Sequence, residues 1–100
     1  MLTLNENSTR YLPLTPTVVA FTSTSSAFTA VNTTASDRWY VFVATADCYV
    51  KRGPSTVGAA TTADFLLQTG THDFMLKPGE GVRVIRSSSD GTLQIGDTIV

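Results

Sequence analysis

The side chains that could make or break bonds are few and badly spaced for the work. His72 is the only histidine, and Asp73 follows it directly. In an extended strand, neighbours point to opposite faces, so Asp73 cannot orient the His72 ring as a Ser-His-Asp triad requires. Cys48 is the only cysteine. No motif supports a Cys48–His72 nucleophilic pair, and a lone cysteine on a strand reads as a small buried hydrophobe. One histidine and one cysteine do not build a structural zinc site, and no DxDxDG-type calcium loop occurs. The carboxylates Asp37, Asp47, Asp64, Asp73, Glu80, Asp90 and Asp97 fall mostly in turn-like stretches, where aspartate caps its own backbone. Gly79, Gly81, Gly91 and Gly96 are scattered turn glycines. They form no phosphate-binding fingerprint, which would require a following helix. The expectation is a protein that is not an enzyme and has no catalytic residue, cofactor or metal.

One cluster of residue types points elsewhere. Trp39, Tyr40, Phe42 and Tyr49 lie near Arg38, Lys51 and Arg52, and single-strand-binding barrels stack bases on aromatics beside cationic grooves. Trp39 and Tyr40 must face opposite sides of a strand, however, and Val41-Phe42-Val43 reads as core. The formal net charge is −1, which supplies no strong positive field. No nucleic-acid partner is expected.

The elements carrying these residues read as strand, turn, strand. Candidate strands are Thr17–Thr22, Ala27–Val31, Arg38–Ala44, Cys48–Arg52, Asp64–Leu67, His72–Leu76, Val82–Arg86 and Thr92–Ile95. Arg38–Ala44 is the strongest. It is almost continuously β-branched or aromatic, as in a central strand covered on both faces. In the next strand, Cys48, Val50 and Arg52 share one face and Tyr49 and Lys51 the other, until Gly53-Pro54 ends it. Residues 32–37 and 55–63 read as loops by composition, the second small, polar and flexible. Lys77-Pro78-Gly79-Glu80 has the chemistry of a type II turn. Seven or eight short strands without an amphipathic helix indicate an all-β sandwich, jelly roll or small barrel with antiparallel strands.

One hundred residues suit one domain. The charged fraction is 15%, against a typical ~25%. Threonine and serine supply the polar surface instead, and such a surface is easier to desolvate against another protein. No stretch is apolar enough to span a bilayer, so no membrane partner is expected. The single cysteine suits a reducing compartment, and Met1–Asn7 lacks the basic start and apolar run of a signal peptide. Residues 1–15 differ from the rest. Leu2, Leu4, Tyr11, Leu12 and Leu14 are spaced among polar residues, with Pro13 and Pro16 favouring extended backbone. Two readings stand side by side: an extended arm ahead of a sandwich domain over 16–100, or a terminal segment folded over its own core.

From Tyr40 to Ile95 the chain shows an aromatic-Val-Phe-Val strand, a return into Cys48-Tyr49-Val50-Lys51-Arg52-Gly53, and a loose loop ending in Asp64-Phe65-Leu66-Leu67. A hairpin through Gly70-Thr71-His72-Asp73-Phe74 to Pro78-Gly79-Glu80 follows, then a pair closing at Asp90-Gly91-Thr92-Leu93. This half of the chain resembles small tailed-bacteriophage virion proteins, the capsid decoration or cement proteins. The resemblance implies a compact sandwich or jelly roll on the virion's capsid surface, made in the host cytoplasm. It implies the major capsid protein as partner and a homo-oligomer, a trimer rather than a dimer. The arm would then add a strand to a capsid-protein edge, with Leu2, Leu4, Tyr11, Leu12 and Leu14 as the partner-binding residues. The alternative is another virion component, such as a head-fibre base, a tail part or a receptor- or glycan-binding module using loop 55–63.

Overall fold

In the computed structural model residues 16–97 are described, and they form eight antiparallel strands with no helix. The strands are β1 (Thr17–Phe21), β2 (Thr29–Ala30), β3 (Arg38–Ala44), β4 (Cys48–Gly53), β5 (Phe65–Leu67), β6 (Gly70–Leu76), β7 (Gly81–Arg86) and β8 (Gly91–Asp97). One sheet has the order β1-β8-β3-β6 and the other β2-β7-β4-β5. This is the strand order of a jelly roll, in which the chain passes between two facing sheets and only β4 and β5 are consecutive neighbours in one sheet. The all-β expectation holds. The proposed arm, with Leu2, Leu4, Tyr11, Leu12 and Leu14, lies outside the described residues.

Period-two alternation builds the core. Val19 and Phe21 of β1, Tyr40, Phe42 and Ala44 of β3, and Leu93 and Ile95 of β8 face Cys48 of β4, Leu67 of β5, and Val82 and Val84 of β7. Register matches across the first sheet, with Val19 opposite Leu93 and Ala44 opposite the same residue on the other side. β3 sits between β8 and β6, and its outward Val41 is as buried as its inward Phe42. The reading of that strand as covered on both faces holds at its centre. At its start, Trp39 points outward and is 52% exposed.

Several expectations need correction. The regular ladder of the second strand is confined to Thr29–Ala30, because the Ser26 hydroxyl takes the Val84 N–H at 2.9 Å while the Ser26 carbonyl accepts from Arg83 Nε. Side-chain bonds of this kind displace ladder bonds. Asp97 lies within a strand, β8, and not in a turn, while Asp73 lies in β6 as the reading of His72–Leu76 as a strand has it. Loop 55–63 is pinned: Arg83 Nη1 of the second sheet donates to the Val57 carbonyl, Ser25 Oγ in the β1–β2 connection accepts from Ala60 N–H, and Asp64 Oδ2 closes the loop's end by accepting from Thr61 N–H. The Lys77–Glu80 turn is as read. Gly79 has φ +81° and Glu80 N–H donates to the Lys77 carbonyl at 3.0 Å.

Asn32 is the buried polar residue among the described ones, 1% exposed. Its Nδ2 donates to the Ser36 and Leu76 carbonyls at 2.9 and 2.8 Å, and its Oδ1 accepts from Thr34 N–H and Oγ1. The amide thus ties loop 32–37 to the end of β6 with its hydrogen-bonding capacity filled.

Candidate binding cleft and exposed apolar surface

The residues considered for chemistry are dispersed. His72 lies on the inward face of β6, opposite Phe42, where its Nε2 is 2.8 Å from the Gln68 carbonyl and its ring stacks near Phe74. Asp73 alternates to the other face. Cys48 is fully buried, and burial, with the Asp47 carboxylate beside it, pushes its thiol up to about 11. It is a core side chain and not an activated nucleophile. Asp47 is held below the usual carboxylate range because it accepts from the Thr69 N–H and hydroxyl at 2.8 and 3.0 Å. Among the described residues, no group of three or more His, Cys, Asp or Glu side chains is placed to hold a metal ion. Nor is any helix there long and apolar enough to cross a membrane.

The aromatic and basic residues do not share a surface. Tyr40 and Phe42 are core, and Trp39 lies on the outer face of the first sheet. Tyr49 and Lys51 lie on the outer face of the second sheet, opposite the buried side of β4. Arg38 is engaged by Asp97 at 2.8 Å.

What the fold does assemble is a cleft. At the side of the sandwich where β6 and β5 are the sheet edges, the two sheets part around a cavity of about 340 Å³. Its walls are Phe42 and Phe74 from the first sheet and Val50 and Phe65 from the second, with Leu76 and Val82 deeper in and Arg52 at the rim. The three rings meet edge to face: Phe42 and Phe74 are 5.1 Å apart between centroids, Phe65 and Phe74 5.7 Å, a favoured geometry for aromatic pairs. Phe65 is 61% exposed, so this aromatic row runs from the core to solvent. Arg52 Nη1 donates to the Met75 carbonyl at 3.1 Å. The ion pairs found among the described residues, Arg38–Asp97 and Arg86–Asp90, leave Arg52 without a carboxylate. An apolar cavity of ~300 Å³ or more with one or two directed polar groups is the usual form of a binding site.

A second apolar feature is the outer face of the first sheet, where Val18, Trp39 and Met75 are exposed and Trp39 pairs across to Met75. The sequence reading missed Phe65, Phe74 and Arg52 as a group. Their only signal was inward parity on three separate strands, which acquires meaning once β6 is known to lie over β5. Compared with family models, curated proteins and solved structures, the chain matches none.

Proposed function

We propose that this chain is a structural binding module of a tailed-phage virion that attaches to the capsid's outer surface and cements neighbouring major capsid protein subunits. The observation that carries this reading is the set of large apolar side chains exposed outside the buried core: Val18, Trp39, Phe65, Leu66 and Met75, each between 39% and 61% exposed. Apolar surface of this kind on a stiff scaffold marks protein-contact faces. Burying the exposed part of each contributes on the order of 1 kcal/mol, and many copies on one shell add avidity. The low charged fraction lowers the desolvation cost of such a contact. The jelly-roll order is compatible, since the architecture recurs in viral capsid and lectin domains, though a fold by itself selects no function. The resemblance over Tyr40–Ile95 supplies the virion context.

The test is co-sedimentation of the purified chain with expanded, undecorated shells. Stoichiometric attachment is expected. It should weaken at least tenfold in a Trp39→Ser, Met75→Ser variant, about 1.4 kcal/mol. A chain that never attaches refutes the reading. Label confined to one vertex of intact particles favours the head-fibre or tail alternative.

A further inference from the structure

We propose that the cleft between β5 and β6 binds a small aromatic carboxylate, with its ring against Phe65, Phe74 and Val50 and its carboxylate on Arg52. The inference goes beyond capsid attachment and does not require it.

The walls select the body of the ligand. Phe65, Phe74 and Val50 stand at the mouth, over a floor of Phe42, Leu76 and Val82 that are each at most 2% exposed. The closed floor keeps an occupant at the mouth, where apolar walls favour an apolar body through burial and dispersion contacts. Phe42, Phe74 and Phe65 already form an edge-to-face row, with centroids 5.1 and 5.7 Å apart. A further ring extends that row in the same geometry, which favours an aryl group over an alkyl chain. An apolar cavity of ~150 Å³ holds one benzene ring. The cleft, at about 340 Å³, holds a ring and a short tail.

Arg52 selects the head. Among the described residues that line the cleft it alone is charged. Its Nη1 donates to the Met75 carbonyl at 3.1 Å, the one hydrogen bond it makes among the described residues, and this fixes the guanidinium at the Met75 end of the cleft. A guanidinium carries five N–H donors, and those left over match the two oxygens of a carboxylate. One guanidinium balances one charge, so a monocarboxylate fits better than a doubly charged phosphate.

The strand fixes the tail. Val50 and Arg52 are two residues apart on the inward face of β4, so a ring beside Val50 lies ~7 Å along the strand from the level of Arg52. Three methylenes between ring and carboxylate cover that distance, as in phenylbutyrate. Benzoate, with its carboxylate on the ring, does not reach.

The test titrates the isotope-labelled full-length chain with phenylbutyrate and follows the backbone amides by NMR. Saturable shifts at Val50, Arg52, Phe65 and Phe74 are expected, with a Kd on the order of 0.1–1 mM for a ligand of this size. Benzoate, phenylbutanol (ring without charge) and octanoate (charge without ring) should each bind several times more weakly. Arg52→Gln, at an exposed position, should weaken phenylbutyrate about tenfold and leave phenylbutanol unchanged, a split that loss of fold would not produce. Phe65→Ser should weaken both ligands alike. No saturable shift up to ~10 mM overturns the proposal, as do shifts centred on Trp39 and the outer face. Equal binding of phenylbutyrate by the parent and Arg52→Gln overturns it too. Octanoate binding as tightly as phenylbutyrate overturns the aromatic assignment. A chain that decorates shells yet binds no phenylbutyrate overturns this inference and leaves the capsid reading standing; binding by a chain that never attaches does the reverse.

Discussion

Replacing Asn32 by alanine tests whether the sandwich depends on a polar clasp inside its core. The side chain makes four hydrogen bonds, two as donor to the Ser36 and Leu76 carbonyls and two as acceptor from Thr34. The bond to Leu76 is buried and the other three are partly so. Removing the amide takes a donor from the Leu76 carbonyl where water does not replace it, costing ~2 kcal/mol within a range of ~1–3. The three remaining groups meet water on loosening, and each loses ~0.5 kcal/mol at the low end of net hydrogen-bond values. The total is about 3–4 kcal/mol, or roughly 20 °C in Tm for a domain of this size. Thermal unfolding read by near-UV circular dichroism measures it, with urea unfolding checking that the m-value is unchanged. Thr34→Ala removes one of the four bonds, that from the Thr34 hydroxyl, while the Thr34 N–H still donates; it should lose ~0.5–1 kcal/mol, which keeps the test readable if Asn32→Ala does not fold. Asn32→Asp adds a pH signature. A carboxylate facing two carbonyls in a buried site has a pKa above its unfolded value of ~3.9. The folded state then holds the proton more tightly, so this variant loses stability as pH rises through the two pKa values and recovers it in acid. A loss below ~0.5 kcal/mol for Asn32→Ala, the level of an ordinary surface substitution, would refute the clasp.

Other consequences can be checked on the same instruments. At Gly81, an added Cβ would lie 2.1 Å from the Thr29 carbonyl oxygen and 2.6 Å from the Phe28 ring, so Gly81→Ala should destabilise by about 2–3 kcal/mol through forced separation of β2 from β7. Gly58→Ala, whose nearest neighbour would be Lys51 Nζ at 4.0 Å, should stay within ~0.5 kcal/mol of the parent. Gly79→Ala meets nothing within 4 Å but must hold φ +81°, a backbone cost of about 1–2 kcal/mol that Gly79→Asn should partly avoid. The Cys48 thiol, ordinarily near 9.0, is raised to about 11 in the fold. The unfolded chain therefore ionises first, and stability falls by up to ~2–3 kcal/mol as pH rises from about 9 toward 11. Cys48→Ala should flatten the urea midpoint over that interval, and an equally steep fall in the variant would show that the thiol is not its source.

How much of this molecule is written locally follows from what each feature needs. A strand needs only its own residue types, so Arg38–Ala44 is legible to the residue; a type II turn needs a proline followed by a glycine, so Pro78-Gly79 declares itself. Pairing needs the rest of the chain. Nothing in Thr17–Phe21 names Gly91–Ile95 as its partner, because the ladder is made of backbone groups common to every residue. Asn32 shows the limit from the other side: in a loop by composition, it is buried because its amide satisfies a carbonyl of its own loop and one at the distant end of β6 at once. The cleft lies furthest from the sequence. Phe42, Phe65 and Phe74 are each what a core strand would carry, and their inward parity is correctly read as burial until the sheets part. They part there because β5 is three residues long and pairs with β4 only as far as Val50. Beyond Val50 the second sheet has no strand beneath β6, and the edge-to-face rings of Phe74 and Phe65 stand at the wall of the opening. A short edge strand on one sheet beneath a long edge strand on the other thus turns ordinary core residues into the walls of an open cleft, with Arg52 on the exposed continuation of β4 at its rim.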